Sequence, residues 1–385
     1  MQHGDEELDY LAGAQPYENP ASFERVVKEA FLLELDCAQN QDIADVLGVD
    51  KSRVSQIFGN PSTLKPETNQ KILDQLRSKE HKRQIVEAWM RECFGTDILH
   101  QSGEPLVGKK ITEKTLRRVD RQIRESRLTL AAKTATEAAL KTDDPGMRER
   151  LLDRAFFARQ RLDQPGQAMR VARIIAEGAI KRGDLRRAAT GYCLGGRVMR
   201  GMADAKERET IHLLDQAEAF LAMSEPLGRP APPYLMVTYE VLEVERINTL
   251  VTLMERDQTI RDDGLIKKLK TRIEVRLKEV KTYQEKSRIA QLLARMYLLL
   301  DQAFLAEELL EQSFKSGDIK NLNAYEVSGV INARIIAKRK SPEASAEYLD
   351  RVIENCTESL DLYHGRLAEH DLARLERQLM IQVGS

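Results

Sequence analysis

Turn signals punctuate this chain at intervals that suit helical hairpins, and no convincing strand lies between them. Breaks fall at Asp143-Asp144-Pro145-Gly146, Gln164-Pro165-Gly166, Arg182-Gly183-Asp184, Met223 to Pro233, Asp262-Asp263-Gly264, Ser316-Gly317-Asp318 and Lys340-Ser341-Pro342. Gly and Pro end helices because one frees the backbone and the other removes a donor. Between the breaks Leu, Ala, Glu, Arg and Lys dominate, residues that lose little side-chain freedom in a helix. Runs of Val, Ile and Thr with strict alternation are scarce. The prediction is an all-α protein. Its 385 residues suit two or three units rather than one small domain.

Composition excludes several classes. The formal charge of −1 argues against a protein that binds polyanions over its whole surface. The N-terminus MQHGDEELDY is acidic with no apolar run behind it, so no secretory signal is read there. No stretch approaches the roughly 20 apolar residues that cross a bilayer. The four cysteines, Cys37, Cys93, Cys193 and Cys356, are far apart and form no CxxC pair. The expectation is a soluble, cytoplasmic protein with reduced thiols, no membrane contact and no metal or cofactor. An enzyme is not expected either. His364 and His370 are six apart and do not share a helical face, and there is no phosphate loop and no GxSxG. The neighbouring acids Glu243/Glu245 and Glu307/Glu308 diverge on a helix and read as solvated faces.

The distribution of charge says more than its sum. Between Lys51 and Arg83 basic residues outnumber acids, while the arm at 1–19 carries Asp5, Glu6, Glu7, Asp9 and Glu18. At the head of the basic stretch lies Asn40-Gln41-Asp42-Ile43-Ala44-Asp45-Val46-Leu47-Gly48-Val49-Asp50-Lys51-Ser52-Arg53-Val54-Ser55-Gln56-Ile57. This pattern predicts two short helices crossing at a steep angle. Ala44 is small at the crossing, and Gly48 sits where the backbone needs a positive φ. Ile43, Leu47, Val49, Val54 and Ile57 supply the shared core. Asp50 is placed to cap the second helix with its side chain. The second helix then exposes Lys51, Ser52, Arg53, Ser55 and Gln56, the side chains that would reach a major groove. Arg suits guanine and Gln suits adenine. Gln41 is placed to meet a phosphate. The flanking helices are predicted from Ser22 to about Asp36, from Pro66 onward with Ile72, Leu73 and Leu76, and from about Lys82 to Phe94 with the single Trp89.

The residues IADVLGVDKSRVSQIF, followed by PSTLKPETNQKILDQL, resemble the Cro/repressor-type helix-turn-helix domain over about residues 20–78. The resemblance implies five helices, with Lys51–Phe58 as the helix that reads double-stranded DNA. Many members of that family have Gln where this chain has Asn40, at a usual phosphate contact. A helical linker follows over 79–111, and residues 112–385 form the remainder.

Within 112–385 two hairpins fit the tetratricopeptide pattern. In one, Ile175, Ala176 and Ala179 face Ala188 and Tyr192 across Gly183-Asp184. In the other, Leu293, Ala294 and Tyr297 face Ala306 and Leu310 across Asp301. A third hairpin near 330–356 is more degenerate. The small residues permit close helix approach. Generic antiparallel helices are the alternative. A Cro-type head ahead of such an array resembles peptide-responsive regulators of bacteria and their phages, the quorum-sensing and arbitrium-type receptors. That resemblance implies a transcriptional regulator whose concave face takes a short peptide, with a protein ligand as the other choice. Arg173, Arg197 and Asn332 are inner-face candidates. Leu116, Val119, Ile123, Ser126 and Leu130 recur at spacings of three and four. They form a narrow seam that suits either a homodimer or contact with the chain's own helices. A helical scaffold whose head no longer binds DNA is the competing function, and the acidic arm favours it.

Overall fold

The computed structural model describes residues 22–37, 39–61, 64–94, 113–202, 207–227, 236–280, 283–315, 322–358 and 362–383. The acidic arm at 1–19, the linker stretch 95–111 and the break at 316–318 lie outside the described residues. Those described are helical with no strand, as the composition predicted. None of their helices is long and apolar enough to cross a membrane. They fall into two compact units. One comprises the described residues of Met1–Ser102, Ile180–Leu185 and Ala222–Arg229, and the other those of Gly103–Ala179, Arg186–Leu221 and Pro230–Ser385.

The first unit contains α1 (Phe23–Leu35), α2 (Asn40–Leu47), α3 (Lys51–Gly59), α4 (Pro66–Asp74) and α5 (Lys79–Phe94). Ser22 caps α1, accepting from the Arg25 N–H at 3.3 Å. Asp36 ends it in the left-handed region at φ 57°. Pro66 opens α4, where its missing N–H costs nothing. The core joins Phe23, Val27 and Phe31 of α1 to Ile43, Val54, Ile57, Ile72, Ile85 and Trp89, all buried. Phe23 meets Phe58 edge to face, with centroids 6.5 Å apart. The Glu34 carboxylate fastens the end of α1 to the start of α5. It accepts from the N–H groups of Arg77 at 2.6 Å and Ser78 at 3.1 Å, and lies 2.6 Å from His81 Nδ1. Burial alone would raise the Glu34 pKa, but these donors hold it below the ordinary carboxylate value.

The second unit begins with α6 (Glu113–Arg124), α7 (Leu128–Lys141) and α8 (Pro145–Arg161). Small residues on α7, from Ala131 to Ala139, let α8 approach and bury Leu151, Leu152, Ala155 and Phe156. Next come α9 (Pro165–Lys181), α10 (Leu185–Gly201), α11 (Glu207–Ser224) and α12 (Tyr239–Arg256), of which the end of α9, the first residue of α10 and the end of α11 count with the first unit. A short 3-10 turn at Gln258–Ile260 leads into α13 (Asp263–Glu279), α14 (Tyr283–Leu299) and α15 (Ala303–Lys315). The last three are α16 (Leu322–Arg339), α17 (Pro342–Glu358) and α18 (Leu362–Val383). Each predicted break among the described residues separates two helices, and Pro145, Pro165 and Pro342 each open one. Asp301, in the predicted turn, has φ 59°.

Ala176, Ala188, Ala294 and Ala306 are all buried. The tightest approach is one the sequence reading passed over. A Cβ on Gly191 would lie 2.6 Å from the Ala176 backbone nitrogen, so α9 and α10 touch where no side chain fits.

The seam prediction needs correction. Leu116 and Val119 are buried inside their own unit, and Ile123 leans on the same cluster. The helix stops at Arg124, Ser126 turns left-handed at φ 56°, and Leu130 lies exposed on α7. The apolar stripe of α6 is consumed within the chain, and Leu130 is not on the same helix. The four residues do not form one seam.

Candidate functional site

The exposed face of α3 is set by what lies beneath it. Gly48 ends α2 at φ 64°, and the Val49 N–H reaches back to the Ala44 carbonyl at 3.0 Å. Asp50 then takes extended backbone geometry, and its carbonyl accepts from the N–H groups of Arg53 at 2.9 Å and Val54 at 3.2 Å. Its carboxylate makes no capping bond, contrary to the sequence expectation. The backbone alone begins the helix there. Ala44, Ile43, Val54, Ile57 and Phe58 are buried, while Leu47 and Val49 are half-buried at the edge.

Lys51, Ser52, Arg53, Ser55 and Gln56 are all exposed on that helix. An Arg53 Nη1 donates to Gln56 Oε1 at 3.3 Å, so the two groups suited to base edges sit side by side. Asn40 Nδ2 donates to Ser55 Oγ at 3.2 Å, joining the start of α2 to α3. Gln41 is exposed, and its amide donates to Asp45 Oδ1 at 2.9 Å, an intrahelical bond that a phosphate oxygen would have to replace. The arrangement is a polar surface of donors and acceptors on a rigid apolar base.

In the second unit the ionic side chains converge in ways the sequence did not disclose. Glu245, expected on a solvated face, is buried on α12 with only 1% of its side chain exposed. It accepts from Arg197 at 2.6 Å, Arg200 at 2.5 Å and Arg288 at 2.8 Å. Burial would raise this carboxyl, and the three guanidiniums hold it far below the usual range. The nearby Cys193 thiol is pushed up to about 12 by burial, with the Glu245 charge adding to the effect. Arg197, an inner-face candidate, is thus tied to a carboxylate.

Two further buried networks accompany it. Arg295 forks onto Glu255 at 2.9 and 2.6 Å and also donates to Asn248 and Thr252. Arg334 bridges Glu255 at 2.9 Å and Asp371 at 2.5 Å. Arg187 has no exposed side-chain surface and meets Glu149 at 2.8 Å and Asp153 at 2.7 Å. Arg and acid positions on separate helices carry no periodic signal, so sequence inspection could not pair them.

Between α9, α10 and α11 lies a cleft of about 400 Å³. Met169, Ala172, Gly195, Met199 and Leu213 line its walls, and Arg173, the second inner-face candidate, stands exposed at it. Asn332, the third, is half-buried on α16, outside this lining. No group of His, Cys, Asp and Glu among the described residues could hold a metal ion. Comparison of the chain with protein-family models, with curated proteins and with solved structures gives no match.

Proposed function

We propose that the chain is a sequence-specific transcriptional regulator that reads double-stranded DNA through α3. On this reading α2 and α3 form a Cro-type helix-turn-helix, and the helical hairpins beyond residue 112 form a tetratricopeptide-like solenoid that dimerises and senses a peptide or protein ligand. The observation that carries it is the exposed row Lys51, Ser52, Arg53, Ser55 and Gln56 above buried Val54, Ile57 and Phe58. A helix inserted in a major groove needs such a face, rigid beneath and polar above. The positive-φ Gly48 and the buried Ala44 at the turn support the same motif. The resemblance to peptide-responsive regulators supplies the sensing role, and it supplies no catalytic one.

Genome-wide occupancy identifies the operator, and gel shifts with that fragment then test the face. Arg53→Ala should weaken operator binding by about 1–3 kcal/mol if it reads a base. Lys51→Ala should weaken operator and random duplex alike and flatten the salt dependence, as a phosphate contact does. Absence of salt-dependent retention on duplex DNA would leave the scaffold reading, which the acidic residues before Pro20 favour.

A further inference from the structure

The two neighbouring arginine networks differ in their balance. Around Glu255, Arg295 and Arg334 face the carboxylates of Glu255 and Asp371, so two positive charges meet two negative ones. Asn248 and Thr252 take up the remaining Arg295 hydrogens. Around Glu245, three guanidiniums meet one carboxylate, which leaves a surplus of two positive charges. Arg197 and Arg200 keep only 13% and 14% of their side-chain surface exposed, so water cannot screen that surplus well.

The surplus is open at Arg288. Arg288 is the outermost of the three, with 47% of its side chain exposed. Repulsion from Arg197 and then burial press its pKa down, with Glu245 acting in the opposite direction. Arg256 lies about three turns beyond Glu245 on α12. Its guanidinium donates to the carbonyls of Met202 at 3.2 Å and Arg200 at 3.1 Å, and it pairs with no carboxylate among the described residues. Arg366 of α18 stands next to it, held by Asp163 and donating to the Gly201 carbonyl at 3.1 Å. Arg256 and Arg366 thus serve the carbonyls at the end of α10, while the open donor beside Glu245 is Arg288 of α14.

We infer that the cluster of Arg197, Arg200 and Arg288, with Arg288 as its open donor, is a binding site for an oxyanion carrying two negative charges. The fork of a guanidinium fits phosphate and carboxylate oxygens equally, so a phosphate group and a pair of carboxylates share the required chemistry. Such a ligand would neutralise the surplus and take the Arg288 donors that Glu245 leaves unused. The inference deepens the sensing part of the proposed function by naming the ligand's charge. It is tested without DNA, so its failure would leave the reading of α3 untouched.

The probes are inorganic phosphate and succinate, titrated into the full chain at constant ionic strength set with sodium chloride. Binding is followed by melting temperature and by equilibrium dialysis of labelled phosphate. The melting temperature should rise with one or both probes, and the effective probe identifies the source of the charge. Arg288→Gln should weaken that binding roughly tenfold, as loss of a charge-assisted donor does. Arg288→Glu should abolish it, because the substitution supplies the missing negative charge. Arg272→Gln, which removes an arginine paired with Glu243 rather than Glu245, should leave it unchanged. The inference is overturned if neither probe shifts the melting temperature and no phosphate is retained in dialysis, or if Arg272→Gln weakens binding as much as Arg288→Gln. The dialysis arm uses the unaltered protein and decides the matter even where a variant fails to fold.

Discussion

Glu255 shows how one carboxylate can hold several helices of the second unit together. Burial opposes its charge, yet Arg295 and Arg334 outweigh burial and bring it from the ordinary 4.5 down to about 2. Because the folded value is the lower one, its contribution is fully present above pH 4.5. It is lost as the pH falls from there through about 2. A shift of that size corresponds to about 3 kcal/mol. Glu255→Gln should therefore destabilise the protein by about 3–5 kcal/mol at pH 7, since Arg295 loses its carboxylate partner and Arg334 keeps only Asp371. Urea unfolding measured from pH 7 to pH 2 should show the gap to the unaltered protein narrowing as the acid range is entered. A constant gap would mean that the charge on Glu255 contributes nothing to stability.

At the scale of elements, identical substitutions separate the two uses of glycine. Gly191 lies where α10 crosses α9, and an added methyl would sit 2.8 Å from the Ala176 Cβ and 2.9 Å from the Ala172 carbonyl. Backbone must move to admit it, so Gly191→Ala should destabilise by about 1–3 kcal/mol. Gly166, in the first turn of α9, has open space around its missing Cβ. Gly166→Ala should stabilise by about 0.4–1 kcal/mol through reduced freedom of the unfolded chain. Gly48→Ala also meets open space, but φ 64° is a left-handed conformation that costs an alanine about 1 kcal/mol. Thermal unfolding of the three variants should therefore give two losses and one gain. The motif around Gly48 was legible because its demands are local: a turn, a small residue four positions earlier and apolar positions at fixed offsets. The Gly191 contact was not, because the residue it answers to belongs to another helix.

For the whole molecule, oligomeric state and stability must now be separated at α6. Val119 has no exposed surface and lies in the unit's own core. Val119→Asp would bury an unpaired charge and should cost roughly 3 kcal/mol or more. The variant should therefore melt early rather than become a stable monomer. Leu130 is 42% exposed on α7, so Leu130→Asp should leave stability within about 0.5 kcal/mol. Light scattering at micromolar concentration beside thermal melts distinguishes the cases. A dimer converted by Val119→Asp to a monomer of unchanged stability would restore α6 as an interface and contradict its burial.

The all-helical class, the breaks among the described residues and the two short helices around Gly48 followed from the sequence alone. Each depends on residues within a turn or two of one another, where backbone sterics and hydrogen-bonding leave few choices. The exposed row on α3 followed for the same reason, because a helix with Val54, Ile57 and Phe58 inward turns Arg53 and Gln56 outward. The tertiary structure decided what distant helices do to one another. It buried the stripe of α6, drew Glu245 out of water among three arginines, and left one arginine network neutral and its neighbour charged. Those outcomes depend on which helix faces meet across long separations in the chain. No periodicity encodes the partner of a charged residue when that partner lies tens of residues away.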